Sequence, residues 1–128
     1  MKTGMELIAE ERARQISVEG WTPEHDDKHD RGQLAAAADS YRIYTDRLLE
    51  FGDKLPACFI PKQWPWERKW WKPSKDPIRN LVKAGALYRA QADYFRRHNR
   101  QDELEIVEDF CVPFVAQKID ELQKANTQ

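Results

Sequence analysis

Between Gly20 and Gly32 the chain reads Gly-Trp-Thr-Pro-Glu-His-Asp-Asp-Lys-His-Asp-Arg-Gly. Inside that stretch lie Glu24, His25, Asp26, Asp27, His29 and Asp30, all side chains that ligate divalent metals or move protons, with Trp21 at the entrance. Crowding carboxylates raises their energy unless a cation, an imidazolium or a basic neighbour relieves them, so the cluster points to metal or acid–base chemistry. A solvated polar loop is the competing reading, and a tryptophan and two histidines weigh against it. Upstream, Glu10 and Glu11 add carboxylates. With Glu24, Asp26 and Asp27 they form the candidate ligand set for Mg2+ or Mn2+, and His25 or His29 is the candidate group that activates water.

Familiar motifs do not account for the stretch. His25 and His29 are four apart, but the residues between them are Asp-Asp-Lys, not the glutamate pattern of zinc proteases. A calcium loop is excluded by Lys28 at a ligand position and Arg31 where glycine is needed. His25-Asp26 is the dipeptide of histidine-aspartate phosphohydrolases, which need more histidines than the single His98 found elsewhere. There is no glycine-rich phosphate loop and no serine elbow.

A second concentration of chemistry runs from Pro61 to Pro73 and holds Trp64, Trp66, Trp70 and Trp71 among Lys62, Arg68, Lys69 and Lys72. Tryptophan is costly to leave in water, so these rings either lid a core or line a pocket for something flat. Interleaved cations suit an aromatic ligand carrying phosphate, since rings stack on a base while cations meet the anion. The candidate binding set is Trp21, Trp64, Trp66, Trp70, Trp71, Lys72 and Lys83.

Helices must position both stretches. Met5 to Val18 carries a stripe of Leu7, Ile8, Ala9, Ala13 and Ile16, and Gly20 ends it. Thr22-Pro23 is expected to keep the chain extended, and Asp30 to cap a second helix from Gly32 to Phe51. Prolines at 56, 61, 65 and 73 rule out a continuous helix from Phe51 to Lys75. A third helix runs from Asp76 to His98, with Asp76 as cap, Pro77 in its first turn and Gly85 packed against the Ala35–Ala38 run. A fourth extends from Asp102 to Lys124, kinked at Pro113, and its wide apolar set suggests a homodimer. The expected fold is all-α: residues 1–128 as one four-helix bundle-like domain, with a long Pro/Trp-rich loop between the second and third helices, crossing the bundle near the acidic stretch.

The net charge of −1 lacks the basic excess that nucleic acid or an anionic membrane would demand, so neither is expected as a partner. No apolar run reaches membrane-spanning length, no signal-peptide pattern opens the chain, and Cys58 and Cys111 lack paired spacing. These features suit a cytoplasmic protein with reduced thiols.

Glu10-Glu11-Arg12-Ala13-Arg14-Gln15, then Gly20-Trp21, then a small-residue helix, then Arg79-Asn80-Leu81-Val82-Lys83-Ala84-Gly85-Ala86-Leu87 together resemble small phage and prophage proteins of unassigned role. In helix outline the chain is also similar to the phage-borne branch of the all-α MazG-like nucleoside triphosphate pyrophosphohydrolases. That resemblance implies nucleotide chemistry with magnesium in a bacterial host cell. The chain departs from the family's Glu-Glu-x-x-Glu motif, since Arg14 holds the third position, and where the family has a Glu-x-x-Asp helix its second helix offers Gln33, Leu34 and Ala35–Ala38 and its third Asn80 and Lys83.

The reading is thus a phage-encoded nucleotide-handling protein, either a metal-dependent hydrolase of a nucleoside phosphate or a sponge that captures a nucleotide signal of host antiviral defence. A third reading is an inhibitor that contacts a host defence protein directly.

Overall fold

Thr3 opens the first helix. Its hydroxyl accepts the Glu6 amide while the Glu6 carboxylate accepts the Thr3 amide, a capping box that starts α1 (Gly4–Ser17). The computed structural model describes residues 1–127, and among these the chain is all-helical, with no strand.

The segment from Thr22 is not extended. Thr22 caps α2 (Pro23–Asp26), a single turn whose first position is the proline, and a ring that presets φ favours helix there. Gly20 and Gly32, the two ends of the acidic stretch, take φ of +75° and +76°, left-handed values that a side chain would strain. Gly32 therefore precedes α3 (Gln33–Phe51) without any side-chain cap, and Asp30 does not fill that role.

Between α3 and α4 (Pro77–Arg97) the proline-rich segment forms only two 3-10 turns, Gly52–Lys54 and Arg68–Trp70. Asp76 caps α4 by accepting the Ile78 amide at 3.0 Å, with Pro77 at the first position as expected. Just inside that helix, fully buried Asn80 takes the Ser74 amide at 2.7 Å and gives its own amide hydrogen to the Ser74 carbonyl at 2.8 Å. One asparagine thus anchors the exit of the tryptophan-rich segment on α4.

The last helical stretch is interrupted differently from the expected kink. It comprises α5 (Gln101–Ile106), a π turn (Val107–Cys111) and α6 (Val112–Asn126). Pro113 has no amide hydrogen to give, and the wider turn ahead of it absorbs the lost bond, the Val112 amide reaching back five residues to the Val107 carbonyl. Ile106, Phe110 and Phe114 remain exposed on this stretch.

The core gathers Ile8, Leu34, Ala37, Ala38, Leu81, Leu87, Leu104, Val112, Val115 and Ile119 around α4, which packs against α1, α3, α5 and α6. Gly85 meets Ile8 of α1 rather than the alanine run of α3. The tighter approach is at Gly4: its amide donates to Asp120 Oδ1 at 2.7 Å, and a Cβ there would fall on the backbone carbonyl of Ala116. Gly4→Ala should cost about 1–3 kcal/mol because backbone, unlike the Ile8 side chain at Gly85, cannot turn aside. An unchanged urea midpoint would show instead that α1 and α6 separate freely.

Candidate functional site

The buried face of α1 is largely polar. Gly4, Ile8, Glu11, Arg12 and Gln15 are its buried residues, three to four apart, whereas Ala13 and Ile16 of the expected apolar stripe face water. Glu11 and Gln15 line a cavity of about 230 Å³, closed by Arg14, Glu19 and Trp21, by Tyr41 of α3, by Lys83 and Leu87 of α4, and by Trp70 and Lys72 of the anchored segment.

Charge in this cavity is arranged in two tiers. Glu11 is held by Arg14, at 2.6 Å from Nε and 3.0 Å from Nη2, and by Arg79, whose Nη2 lies 3.0 Å from both carboxylate oxygens. Burial alone would push the Glu11 carboxyl up, and the two guanidiniums outweigh it, leaving the group below the ordinary glutamate range. Arg14 also reaches Glu19 at 3.0 Å. Lys83 belongs to the second tier. Its ammonium donates to the Lys72 carbonyl at 3.0 Å and sits 5.6 Å from the Tyr41 ring centre. Burial, with the Arg79 charge adding to it, lowers Lys83 below the usual lysine value. Neither Lys83 nor Lys72 forms a salt bridge among the described residues, and Lys83, which feels the Glu11 and Glu19 charges only at longer range, is a cation that an entering anion can meet.

Of the binding residues read from sequence, Trp21, Trp70, Lys72 and Lys83 line this cavity. Trp70 is 56% exposed and carries Lys69 at 5.3 Å from its ring centre. Trp64, Trp66 and Trp71 do not line it. They are half-buried and packed on the hydrophobic core, Trp71 lying 4.8 Å from Tyr41 and 4.9 Å from Trp64 between ring centres. The row continues through Trp66 to His29 at 5.1 Å, then His25 at 5.2 Å, and ends on Trp21, stacked parallel to His25 at 5.9 Å. The tryptophan-rich segment and the acidic stretch are therefore joined by aromatic contact.

The carboxylates read as metal ligands are dispersed. Asp26 is 0% exposed and accepts from Arg12 at 3.0 Å, with His25 Nδ1 at 3.2 Å from its other oxygen. Asp27 faces the opposite way to Arg97 at 2.7 Å and His98 at 3.3 Å, which hold its carboxyl below the ordinary aspartate range. Glu10 pairs with Lys2, and Glu24 is exposed. Among the described residues no three His, Cys, Asp or Glu side chains converge as a metal set. Glu11 alone of the five lines the cavity, and both its oxygens are taken by arginines. His25 and His29 do not line it.

His29 carries a pH signature of its own. Burial, then the charge of His25, lowers its pKa below the ordinary imidazole value of about 6.5, and Asp26 opposes this only in part. Below that value the unfolded chain holds the proton and the folded chain does not, so stability falls as pH drops through about 6.5 toward the folded pKa. Denaturant midpoints at pH 7.5 and 5.5 should differ less for His29→Gln than for the parent chain. Equal differences would mean that protonated His29 is accommodated without cost.

Arg14, Gln15, Tyr41 and Arg79 were not singled out from sequence. Only the spacing Ile8, Glu11, Gln15 hinted that the polar pair shares a buried face. The chain matches no family model, no curated protein and no solved structure.

Proposed function

We infer that the chain binds a nucleoside phosphate in the cavity between α1, α4 and the tryptophan-rich segment, and that it captures the ligand without cleaving it. The observation that carries this reading is the meeting, in the lining of one small cavity, of Trp21, Tyr41 and Trp70 with Lys72 and with Lys83, whose ammonium has no carboxylate in salt-bridge contact among the described residues. Rings offer stacking surface to a base, and ammoniums offer charge-assisted bonds to phosphate. Capture is favoured over hydrolysis by how the acidic groups are spent: Glu11, Asp26 and Asp27 each answer an arginine, and His25 and His29 lie outside the cavity walls. In the setting that the resemblance to phage proteins implies, capture would withdraw a nucleotide signal from a host defence system.

The test is to incubate purified protein with linear and cyclic nucleotides in the presence of Mg2+ or Mn2+, and to quantify each nucleotide before and after denaturing the protein. Depletion that denaturation reverses is the expected result. Depletion with a new monophosphate or pyrophosphate would replace capture by hydrolysis, and no depletion of any nucleotide would overturn the nucleotide reading.

A further inference from the structure

Three large apolar side chains on the last helical stretch face water: Ile106 at 57%, Phe110 at 70% and Phe114 at 51% exposure. They stand four residues apart, and the same spacing continues to Asp102 before them and Lys118 after them. In an unbroken α-helix every fourth residue overshoots a full turn by about 40°. The wider π turn (Val107–Cys111) takes back part of that overshoot, so Ile106, Phe110 and Phe114 stay in one outward row. Phe110 and Phe114, with Cys111, also border a groove of about 290 Å³ against Asp39 and Arg42 of α3 and Tyr88 of α4. The polar groups of that groove answer one another, Tyr88 donating to Asp39 and Arg42 to Tyr88 at 3.4 Å, so what it offers an occupant is chiefly apolar surface.

The charges at the two ends of the row identify the occupant. Asp102 is exposed and, unlike Glu103 beside it, which takes Arg100, has no ion-pair partner among the described residues. Lys118 reaches only Asp46, at 4.0 Å. A row that is acidic at one end, basic at the other and apolar between is its own complement when turned end for end. We propose that the chain forms a twofold homodimer by antiparallel pairing of these rows, with Phe110 at the axis. Ile106 of one copy then lies on Phe114 of the other and Asp102 on Lys118, each contact being made twice, as an isologous interface requires. No residue of the row lines the cavity beside α1 and α4, so pairing leaves that cavity's walls untouched.

Sedimentation equilibrium of the full chain tests this. The parent should approach twice the 15.1 kDa of one chain as its concentration rises. Phe110→Glu sets two like charges at the axis and should weaken dimerisation by roughly 30-fold or more, the loss expected at the centre of an interface, while the exposure of the ring lets the variant keep the parent's helical circular dichroism. Asp102→Lys alone and Lys118→Asp alone should each dimerise more weakly than the parent, because like charges then face each other twice. Mixed in equal amounts, those two variants should dimerise again with one another, since each supplies the charge the other lacks. A parent that keeps the mass of one chain up to about 100 μM overturns the dimer. So does a Phe110→Glu chain that dimerises as tightly as the parent, because the contact then lies elsewhere. If the mixture dimerises no better than either charge variant alone, the antiparallel pairing is overturned.

Discussion

Replacing Asp26 with asparagine is expected to cost about 3–5 kcal/mol of folding stability, the loss typical of removing one partner from a buried ion pair. Asparagine matches aspartate in shape, so no cavity opens and the cost is electrostatic. Arg12, 7% exposed, gives a hydrogen to Asp26 at 3.0 Å and reaches Asp93 only at 3.4 Å, while its Nε and Nη1 have no partner among the described residues. Without the Asp26 charge the Arg12 guanidinium keeps, as its one charged partner among the described residues, the Asp93 carboxylate at 3.4 Å. Against a typical total of about 5–15 kcal/mol, such a loss should lower the melting temperature by roughly 10–20 °C in a chain of this size. Asp27→Asn provides the comparison, because that exposed carboxylate should change the melting temperature far less. The double variant Asp26→Leu with Arg12→Met should recover most of the loss, since a buried pair replaced by apolar groups is often neutral. Should Asp26→Asn melt within a few degrees of the parent chain, the carboxylate is not the group that holds Arg12.

This role for Asp26 shows where the sequence was readable and where it was not. The helices were legible because their punctuation is local: Asp76 and Pro77 start α4, Gly20 ends α1, and the prolines of residues 56–73 forbid helix between α3 and α4. What escaped was the orientation of α1. A stripe count over Leu7, Ile8, Ala9, Ala13 and Ile16 favours an apolar face, yet of these only Ile8 is buried, and the helix turns Glu11, Arg12 and Gln15 inward beside it. That rotation pays off only in tertiary contacts: Arg79 lies 68 residues from Glu11, and Asp93 lies 81 from Arg12. No local pattern encodes partners so distant. The same limit explains why the dense acidic stretch suggested one metal set. Adjacent Asp26 and Asp27 point to different arginines, Arg12 on α1 and Arg97 on α4, and only the packed helices separate them. The four clustered tryptophans were divided likewise, Trp70 left at the cavity and Trp64, Trp66 and Trp71 packed on the core, a sorting that composition does not encode.

Lys83→Met is expected to weaken binding of ATP by roughly 10- to 150-fold, the range that corresponds to about 1.5–3 kcal/mol for a hydrogen bond to a charged group. Methionine keeps an unbranched apolar stem against Tyr41 and removes only the ammonium. The structural cost should be small, because the one fixed bond lost is to the Lys72 carbonyl on an exposed segment. Burial already lowers the Lys83 pKa, so a bound phosphate, by favouring the charged form, should raise it again. Complex formation at a pH where free Lys83 is partly deprotonated should therefore take up protons, and the calorimetric heat should vary with the ionisation enthalpy of the buffer. In Lys83→Met that buffer dependence should disappear together with the affinity. Arg79→Met makes the contrasting case: Arg79 is committed to Glu11 at 3.0 Å, so its loss should lower the melting temperature by unbalancing the buried carboxylate. If Lys83→Met bound ATP as tightly as the parent chain while Arg79→Met bound none at full stability, the phosphate would lie against the guanidinium tier, and Lys83 would serve only to fasten the tryptophan-rich segment to α4.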